Sequence, residues 1–217
     1  MIRRVVQRAQ RIPRVDRVLV ATSEHPRDDV LVERLSESSV EVYRGSEDDV
    51  LARYQGAAAA AGADVVVRIT GDCPLICPSV SGAVLQDFLE HSESCDYASN
   101  TRIRTFPRGL DTEVMSAGAL ARAHREATAP SDREHVTPFI WRNPEAFALR
   151  DWLDPVDRSH LRLTVDTPED LSLVERLYDA LHPGDPFFDY GAILECLARH
   201  PEWAAINQGV EQKQVQA

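Results

Sequence analysis

The sequence predicts an α/β fold with a mostly parallel sheet, and three observations support this prediction. Short apolar runs alternate with helical patterns along the chain, as in βαβ units. The clearest run, ADVVVRIT at 63–70, is β-branched and almost continuously apolar, which suits a strand covered on both faces. The 217 residues, 43% of them hydrophobic, are enough for one well-buried domain. We therefore expect a single domain over 1–206 and a polar, frayed tail over 207–217.

The predicted elements follow the hydrophobic pattern and the capping signals. Strands are predicted at 17–22, 40–43, 63–70, 96–100, 111–116 and 160–165. Helices are predicted at 3–10, 26–35, 47–61, 78–91, 117–127, 133–142, 167–181 and 187–199. Ser46 is expected to cap the helix at 47–61. Thr167 is expected to cap the helix that Pro168 opens.

Charge and cysteine content narrow the function classes. The chain has 24 basic and 35 acidic residues, a net charge of −11, which argues against a nucleic-acid partner. No apolar run approaches membrane-spanning length and no signal peptide is evident, so we expect a cytoplasmic protein without a membrane partner. Cys73 and Cys77 have no second pair of ligands at suitable spacing, so zinc is not expected.

Two aspartates follow predicted strands and are candidate metal ligands. Asp72 comes directly after Gly71 at the end of the clearest strand, where ligands of parallel sheets bind. The alternative for this segment is an ordinary strand-ending turn, and local chemistry does not separate the two. Asp166 precedes a helix cap and is not itself explained by capping. The two carboxylates could share one Mg²⁺ that also binds substrate phosphates.

Three further segments carry candidate binding residues, each with a plain structural alternative. Ser46, Asp49 and Arg53 surround a helix start, where an anion could bind or Asp49 and Arg53 could form a surface ion pair. Arg104 and Arg108 lie in a loop suited to a carboxylate or phosphate, or to balancing nearby acids. The segment Arg133-Glu134-His135 offers a base or a substrate contact, although a lone histidine at a helix start is more often structural.

Together these segments resemble a known family. The motifs are RGSEDDVLARY, VVVRITGDCPLI, DYASNT, RTFPRGLDTEV, REHVTPFI and SHLRLTVDTPEDL. They look like the spore-coat polysaccharide biosynthesis protein F branch of the cytidylyltransferases, which is similar to CMP-KDO synthetase and acylneuraminate cytidylyltransferase. The likeness runs in order from Val5 to Tyr178. It implies a Rossmann-like three-layer sandwich of the nucleotide-diphospho-sugar transferase type.

The resemblance also implies an activity and residue roles. The reaction would transfer CMP from CTP to an acidic sugar for surface polysaccharide biosynthesis, and a homodimer is one assembly the family allows. Asp72 and Asp166 would hold Mg²⁺ and serve catalysis. Ser46, Asp49 and Arg53 would lie near the nucleotide. The residues that would face the sugar are Arg104, Arg108, Arg133 and His135.

Two other functions stay open beside this one. The first is a nucleotide-sugar-dependent glycosyltransferase, for which Glu47-Asp48-Asp49 is the only local metal-clamp candidate. The second is a non-enzymatic remnant or subunit with the same fold.

One departure from the family bears on activity. The family begins with a strand and a phosphate-binding loop of the form Gln-Ala-Arg-x-x-Ser-x-Arg-x-Pro-Gly-Lys, and nothing here matches it, because Met1 falls inside the helix that follows. A misassigned gene start, a fragment, or completion of the sheet by another chain would each explain this. We favour a truncated reading frame. Loss of that loop would remove most stabilisation of the reacting phosphates, so activity would require its restoration.

Overall fold

The computed structural model describes residues 1–38 and 40–212. The strands are β1 Leu19–Ser23, β2 Glu41–Gly45, β3 Val65–Arg68, β4 Tyr97–Ser99, β5 Glu113–Ser116 and β6 Leu149–Asp151. The helices are α1 Ile2–Ala9, α2 Asp29–Ser36, α3 Val50–Ala61, α4 Pro78–Glu90, α5 Ala117–Glu126, α6 Pro130–His135, α7 Pro138–Trp141, α8 Pro168–Leu181, α9 Tyr190–Arg199 and α10 Pro201–Ala204. A short 3₁₀ turn, Pro26–Asp28, leads into α2.

The strands form two sheets. β1 and β2 pair in parallel, and the larger sheet has the order β3-β5-β4-β6. β5 is antiparallel to both of its neighbours, whereas β4 and β6 are parallel, so β3, β4 and β6 share one direction. A cavity of about 920 Å³ lies between the two sheets, with residues 19–22 of β1 on one side and Val65–Arg68 of β3 on the other. We call it the β1–β3 cavity.

Helices cover both faces of the larger sheet, because its apolar residues alternate between them. Val65 and Val67 pack in a cluster with Leu85 and Phe88 of α4. Val66, between them, packs on the opposite face in a cluster with Leu51 of α3 and residues of α5 and α7. Because successive side chains of a strand point to opposite faces, β3 contributes to two separate cores. The result is a three-layer α/β/α sandwich.

A third core lies beyond the carboxyl end of β3. It joins α8 and α9 to the turn after β3 and to the loop before β5, through Leu75, Phe106, Leu163 and neighbours. Arg8 of α1, only 1% exposed, donates from Nε to the Ile76 carbonyl at 2.6 Å and from Nη2 to the Phe188 carbonyl at 2.6 Å. These bonds fix α1 to the same region.

Two predicted elements are wrong. The segment 160–165 is no regular strand but makes a single bridge between Arg108 and Arg162, because it crosses the loop before β5 rather than joining a sheet. The predicted helix 133–142 is two helices, α6 and α7. Val136 separates them with a φ of 75°, and Pro138 lacks the N–H that a continuous helix would use.

Other boundaries also differ from the prediction. The helix predicted at 47–61 begins at Val50, and its N-cap is Asp49, which accepts from the Ala52 N–H at 2.9 Å; Ser46 is therefore not the cap. The sequence analysis did not foresee β6 or α10. Asn207, expected at the start of a frayed tail, is 3% exposed. Residues 213–217 of that tail, with Lys213, lie outside the described residues.

Each of the four cysteines is a buried free thiol. Among the described residues, no helix has the length and apolar character needed to traverse a bilayer.

Candidate functional site

Two segments meet at the carboxyl end of β3. The Val165 N–H donates to the backbone oxygen of Asp72 at 2.9 Å. The Thr164 hydroxyl donates to Oδ2 of Asp72 at 3.0 Å and to its backbone oxygen at 3.1 Å. Asp166 follows Val165 directly. The two aspartates expected to bind Mg²⁺ are therefore held on adjacent segments.

The loop before β5 joins the same place through a glycine. The Leu163 N–H donates to the Arg108 carbonyl at 2.7 Å, and the Arg108 N–H donates to the Leu161 carbonyl at 3.2 Å. Gly109 has a φ of 98°, and a Cβ there would lie 2.4 Å from the Leu163 carbonyl carbon. Only glycine permits this backbone and this approach. The close contact places the backbone of Arg108 beside Leu163, the residue before Thr164.

The two predicted sugar-binding arginines of this loop differ in their partners. Arg104 donates to both oxygens of Asp111, at 2.6 and 3.0 Å. Arg108 is half-buried, and its guanidinium has no hydrogen-bond partner among residues 1–38 and 40–212. Burial lowers the pKa of Arg108, and the positive charges of Arg104 and Arg162 add to that effect. An unpartnered, partly desolvated cation is suited to binding an anion.

Arg162 orients Asp166 and was missed by the sequence analysis. Its side chain is 9% exposed. It donates from Nε to Asp170 Oδ1 at 2.9 Å and from Nη2 to Asp170 Oδ2 at 3.0 Å, and it also bonds Oδ2 of Asp166. The signal was an arginine inside the apolar run HLRLTV with aspartates four and eight residues later.

Asp170 anchors this junction. It completes a capping box with Thr167, as the N-cap prediction requires, and it accepts from Nδ2 of Asn207 at 2.7 Å. Burial opposes ionisation of Asp170, but the bonds from Arg162 and the backbone outweigh burial and lower its pKa. Asp166, in contrast, has a side chain 47% exposed, so it stays available to a ligand.

Asp72 and Asp166 fit Mg²⁺ as a partial ligand set. In the described part of the chain, no group of three or more His, Cys, Asp or Glu side chains could hold a metal ion. Magnesium is commonly held by one or two carboxylates together with waters and substrate phosphates, so two aspartates are sufficient from the protein. Arg162 competes for one oxygen of Asp166.

The residues expected near the nucleotide lie before and within α3. Oγ of Ser46 accepts from the Asp49 N–H at 3.0 Å. Arg53 donates to the Ser46 carbonyl at 2.6 Å, so it does not form the surface ion pair with Asp49 that its spacing allowed. The Arg53 Nε is buried without a partner in the described structure, and Arg53 is one of the residues that line the β1–β3 cavity.

Arg133 lies with this nucleotide segment. It donates from Nε to Oδ2 of Asp49 at 3.1 Å and from Nη1 to the His124 carbonyl at 2.7 Å. Burial alone raises the pKa of Asp49, but the bonds from Arg133 and Ala52 lower it overall. His135 is half-buried and ends α6, so the expectation of a histidine at a helix start is wrong.

A buried polar network connects β3, β4 and β5 with Thr137 at the start of α7. Arg68 of β3 is ion-paired with Glu113 of β5, and Glu113 Oε1 accepts from Tyr97 and Thr137 at 2.6 Å each. Burial and the Glu113 charge raise the pKa of Tyr97. Tyr54 of α3 donates to the Ile69 carbonyl at 3.4 Å. The signal for this network was one charged residue inside each of two apolar strands.

The alternative metal clamp is not assembled. Glu47 is ion-paired with Arg27, and Asp49 caps α3 while it pairs with Arg133. Both carboxylates therefore already have cationic partners.

Comparison with known proteins identifies the family. The sequence pattern of the family described as "Cytidylyltransferase" matches residues 1–195. The spore coat polysaccharide biosynthesis protein SpsF of Bacillus subtilis is 29% identical over 193 residues, which is 87% of this chain and 78% of that protein.

Two solved structures share the fold. A cytidylyltransferase from Leptospira borgpetersenii superposes with a TM-score of 0.89 at 29% identity, over 98% of this chain and 87% of the other. A CMP:2-keto-3-deoxy-manno-octonic acid synthetase complexed with CTP superposes with a TM-score of 0.61 at 18% identity, over 82% and 87% of the two chains. The Rossmann-like nucleotidyltransferase fold is thus confirmed, and the chain belongs to the cytidylyltransferase family.

Proposed function

We propose that this protein transfers CMP from CTP to an acidic sugar and releases pyrophosphate. The observation that carries the proposal is the junction at the carboxyl end of β3. There Asp72 and the segment leading to Asp166 are hydrogen-bonded together beside the unpartnered Arg108. Two carboxylates on adjacent segments suit a metal-bound triphosphate, and Arg108, whose backbone is bonded to Leu163 of the second segment, offers a guanidinium to an anionic acceptor. Family membership supplies the nucleotide.

Each residue then has a defined task. Asp72 and Asp166 would hold Mg²⁺, which neutralises phosphate charge when it is bound. Arg108 binds the carboxylate of the sugar and so directs an acceptor oxygen toward the α-phosphorus for in-line attack. Arg162 positions Asp166 through the bond to its Oδ2. Ser46 and Arg53 contact the nucleotide from the α3 side, and Arg133 positions that segment through Asp49.

The proposal is tested by pyrophosphate release from CTP and Mg²⁺ in the presence of 2-keto-3-deoxy-manno-octonic acid or an acylneuraminate, both in the chain as given and with the phosphate-binding loop described above joined before Met1. Asp72→Asn is expected to lower kcat/KM by on the order of 100-fold or more, because a lost metal ligand removes several kcal/mol of charge stabilisation. The matched control is Asp48→Asn, an exposed aspartate of the alternative clamp, which should leave the rate unchanged. A glycosyltransferase would release no pyrophosphate from CTP and would turn over a nucleotide-sugar donor instead.

A binding measurement separates the enzyme from a non-enzymatic relative. Calorimetry of the chain with CTP and Mg²⁺ should show binding that Asp72→Asn weakens. If the wild-type chain binds no CTP, the non-enzymatic alternative is the better description of residues 1–217.

The cellular setting rests on the same reasoning. We infer a cytoplasmic enzyme of surface polysaccharide biosynthesis, on the strength of its likeness to the Bacillus protein whose name carries that role. The absence of nucleic-acid and membrane partners, and the homodimer, stay predictions.

A further inference from the structure

The segment after α10 returns to the candidate site through one buried asparagine. Asn207 is 3% exposed, and its Nδ2 donates to Asp170 Oδ1 at 2.7 Å and to the Arg162 carbonyl at 3.0 Å. The amide nitrogen has two hydrogens and uses both, whereas the amide oxygen cannot donate, so these contacts fix the orientation of the side chain. Asp170 and Arg162 lie 37 and 45 residues earlier in the chain, so the contact is a tertiary one.

The packing of α10 holds Asn207 in this place. Trp203 and Ala204 of α10 pack against the third core, which also contains residues of α8 and α9. Arg176 of α8 lies over the Trp203 ring, with 5.9 Å between the guanidinium carbon and the ring centroid. The Ile206 N–H donates to the Trp203 carbonyl at 3.1 Å, so a turn follows α10 directly. Asn207 is therefore anchored by the core that supports α8.

The carboxylate that Asn207 contacts is fully buried and has several donors. Asp170 is 0% exposed. Its Oδ2 accepts from the backbone N–H groups of Asp166 at 3.0 Å and Thr167 at 3.1 Å, and both of its oxygens accept from Arg162. A buried charge is costly when a partner is lost. Loss of the Asn207 bond therefore favours rearrangement of the whole group around Asp170, including the backbone of Asp166.

Gln212 contacts the same arginine. Its Oε1 accepts from Nη1 of Arg162, while Nη2 of Arg162 bonds Oδ2 of Asp166. The guanidinium is planar and rigid, so partners on Nε and Nη1 fix the direction of Nη2. The Asp166 side chain is 47% exposed and takes its position from Arg162. Arg162 is in turn held by Asp170 and by the segment 207–212.

We propose that Asn207 is a positioning residue for the metal site, because it fixes the Asp166 carboxylate through Asp170 and Arg162. The inference rests on the proposed function, in which Asp72 and Asp166 hold Mg²⁺. Asn207 follows residues 1–195, the part of the chain that matches the family pattern. Partners that orient metal ligands commonly contribute about 10- to 100-fold in metal affinity. A side chain that does not touch the cation would then help to set the affinity for it.

Mn²⁺ binding to the full chain tests this without turnover, because Mn²⁺ suits the same oxygen ligands as Mg²⁺. Electron paramagnetic resonance measures the free ion, and the Asp72→Asn variant identifies the fraction bound at the proposed site. Asn207→Leu keeps the branched shape of the side chain and removes both donors, so the affinity of the Asp72-dependent site should fall about 10-fold. Asn207→Ala leaves space for water and is the second variant if the leucine prevents folding.

Asn143→Ala is the matched control for a general loss of stability. Asn143 donates from Nδ2 to the Phe139 carbonyl at 2.6 Å at the end of α7. Phe139 packs against the core around Leu51, not against the third core. Loss of this bond should lower the midpoint of thermal unfolding and leave the Mn²⁺ affinity unchanged.

Amide exchange follows the same group with no metal present. The N–H groups of Asp166 and Thr167 donate to Asp170, so they report how firmly that carboxylate is held. Their exchange should be about tenfold faster in Asn207→Leu than in the wild type, the effect of one lost hydrogen bond to a charged group. Exchange in β5 should not change.

The outcomes distinguish this inference from the proposed function. Unchanged exchange at Asp166 and Thr167 in both Asn207 variants would overturn the inference. An Asp72-dependent Mn²⁺ affinity that stays at the wild-type value in both variants would also overturn it, and would leave the proposed metal site intact. A wild-type chain without an Asp72-dependent Mn²⁺ site would overturn the proposed metal site, and the inference with it.

Discussion

The two sheets of this protein differ in how completely they are satisfied. β5 is paired on both edges and its Val114 and Met115 are fully buried. β1 has one partner among the described strands, and its Leu19 and Val20 are only half-buried. The candidate metal ligands lie on segments attached to the larger sheet, whereas Ser46 directly follows β2 of the two-stranded sheet. The segments proposed to bind the metal and the sugar are therefore held in place next to the larger sheet. The segment proposed to bind the nucleotide depends instead on single contacts such as the Arg133–Asp49 ion pair.

The largest loss of stability is expected from a substitution of Gly109, because its backbone conformation and its contact with Leu163 leave no room for a side chain. Gly109→Ala combines an unfavourable φ of 98° with a Cβ placed 2.4 Å from the Leu163 carbonyl carbon. Strain and overpacking together should cost about 3 to 5 kcal/mol in urea-induced unfolding. Gly62→Ala is the control, because its φ is 62° but nothing lies within 4 Å. Equal losses in the two variants would mean that the loop is not closely packed.

Arg162 is next, because it is the cation that buried Asp170 requires. Arg162→Met should destabilise the protein by about 3 kcal/mol, since an unpaired buried charge remains. Arg17→Met breaks an ion pair whose side chains are 48% and 53% exposed, and its effect should be much smaller. Comparable midpoints in denaturant for the two variants would contradict a buried role for Arg162.

Arg108 should affect substrate binding and not stability. Arg108→Met removes the partner proposed for the sugar carboxylate, so KM for the sugar should rise about 10- to 100-fold, the worth of a charged hydrogen bond. Stability should be unchanged, because the guanidinium has no partner in the described structure. Arg102→Met, in the same loop but paired with Asp151, is the control for lost positive charge. A fall in kcat at constant KM would place Arg108 elsewhere.

The smallest effect is expected in the two-stranded sheet of β1 and β2, and it depends on pH. The hydroxyls of Ser23 and Thr22 hydrogen-bond Asp28 and lower its pKa to about 2. A depressed folded-state pKa gives stability that is full above the unfolded pKa near 4 and is lost as the pH falls toward about 2. Asp28→Asn should flatten this loss by no more than about 1 kcal/mol after solvent screening. Amide exchange in β1 between pH 5 and 2.5 should reveal it, whereas β5 should not respond.

Local patterns predicted most of this fold. The run at 63–70 and the capping signals of Thr167 and Pro168 depend on near neighbours in sequence, and the structure has β3 and α8 there. The segment 160–165 was misjudged, because its apolar pattern reflects contact with the loop around Gly109, which only the tertiary fold provides. β6 was missed because three residues are too short for a periodic signal.

The candidate site also combines residues that local patterns predict with contacts that they do not predict. Asp72 and Asp166 were identifiable because each carboxylate follows an apolar run without a capping role. Their junction through Thr164 is a long-range contact that no local pattern contains. Glu113 was overlooked because its partner Arg68 is distant in sequence. Arg162 was overlooked because its nearby partners, Asp166 and Asp170, had been interpreted as a metal ligand and a helix-start residue.

The buried cysteines give the molecule a built-in reporter. Cys73 lies next to Asp72, is 2% exposed, and its thiol pKa is raised by burial and by the Asp72 charge. Alkylation proceeds through the thiolate, so the native state should be almost inert to iodoacetamide near neutral pH. The labelling rate of Cys73 would then measure how often the turn after β3 opens. Mass spectrometry of the peptide that contains Cys73 would follow this rate without any added probe group.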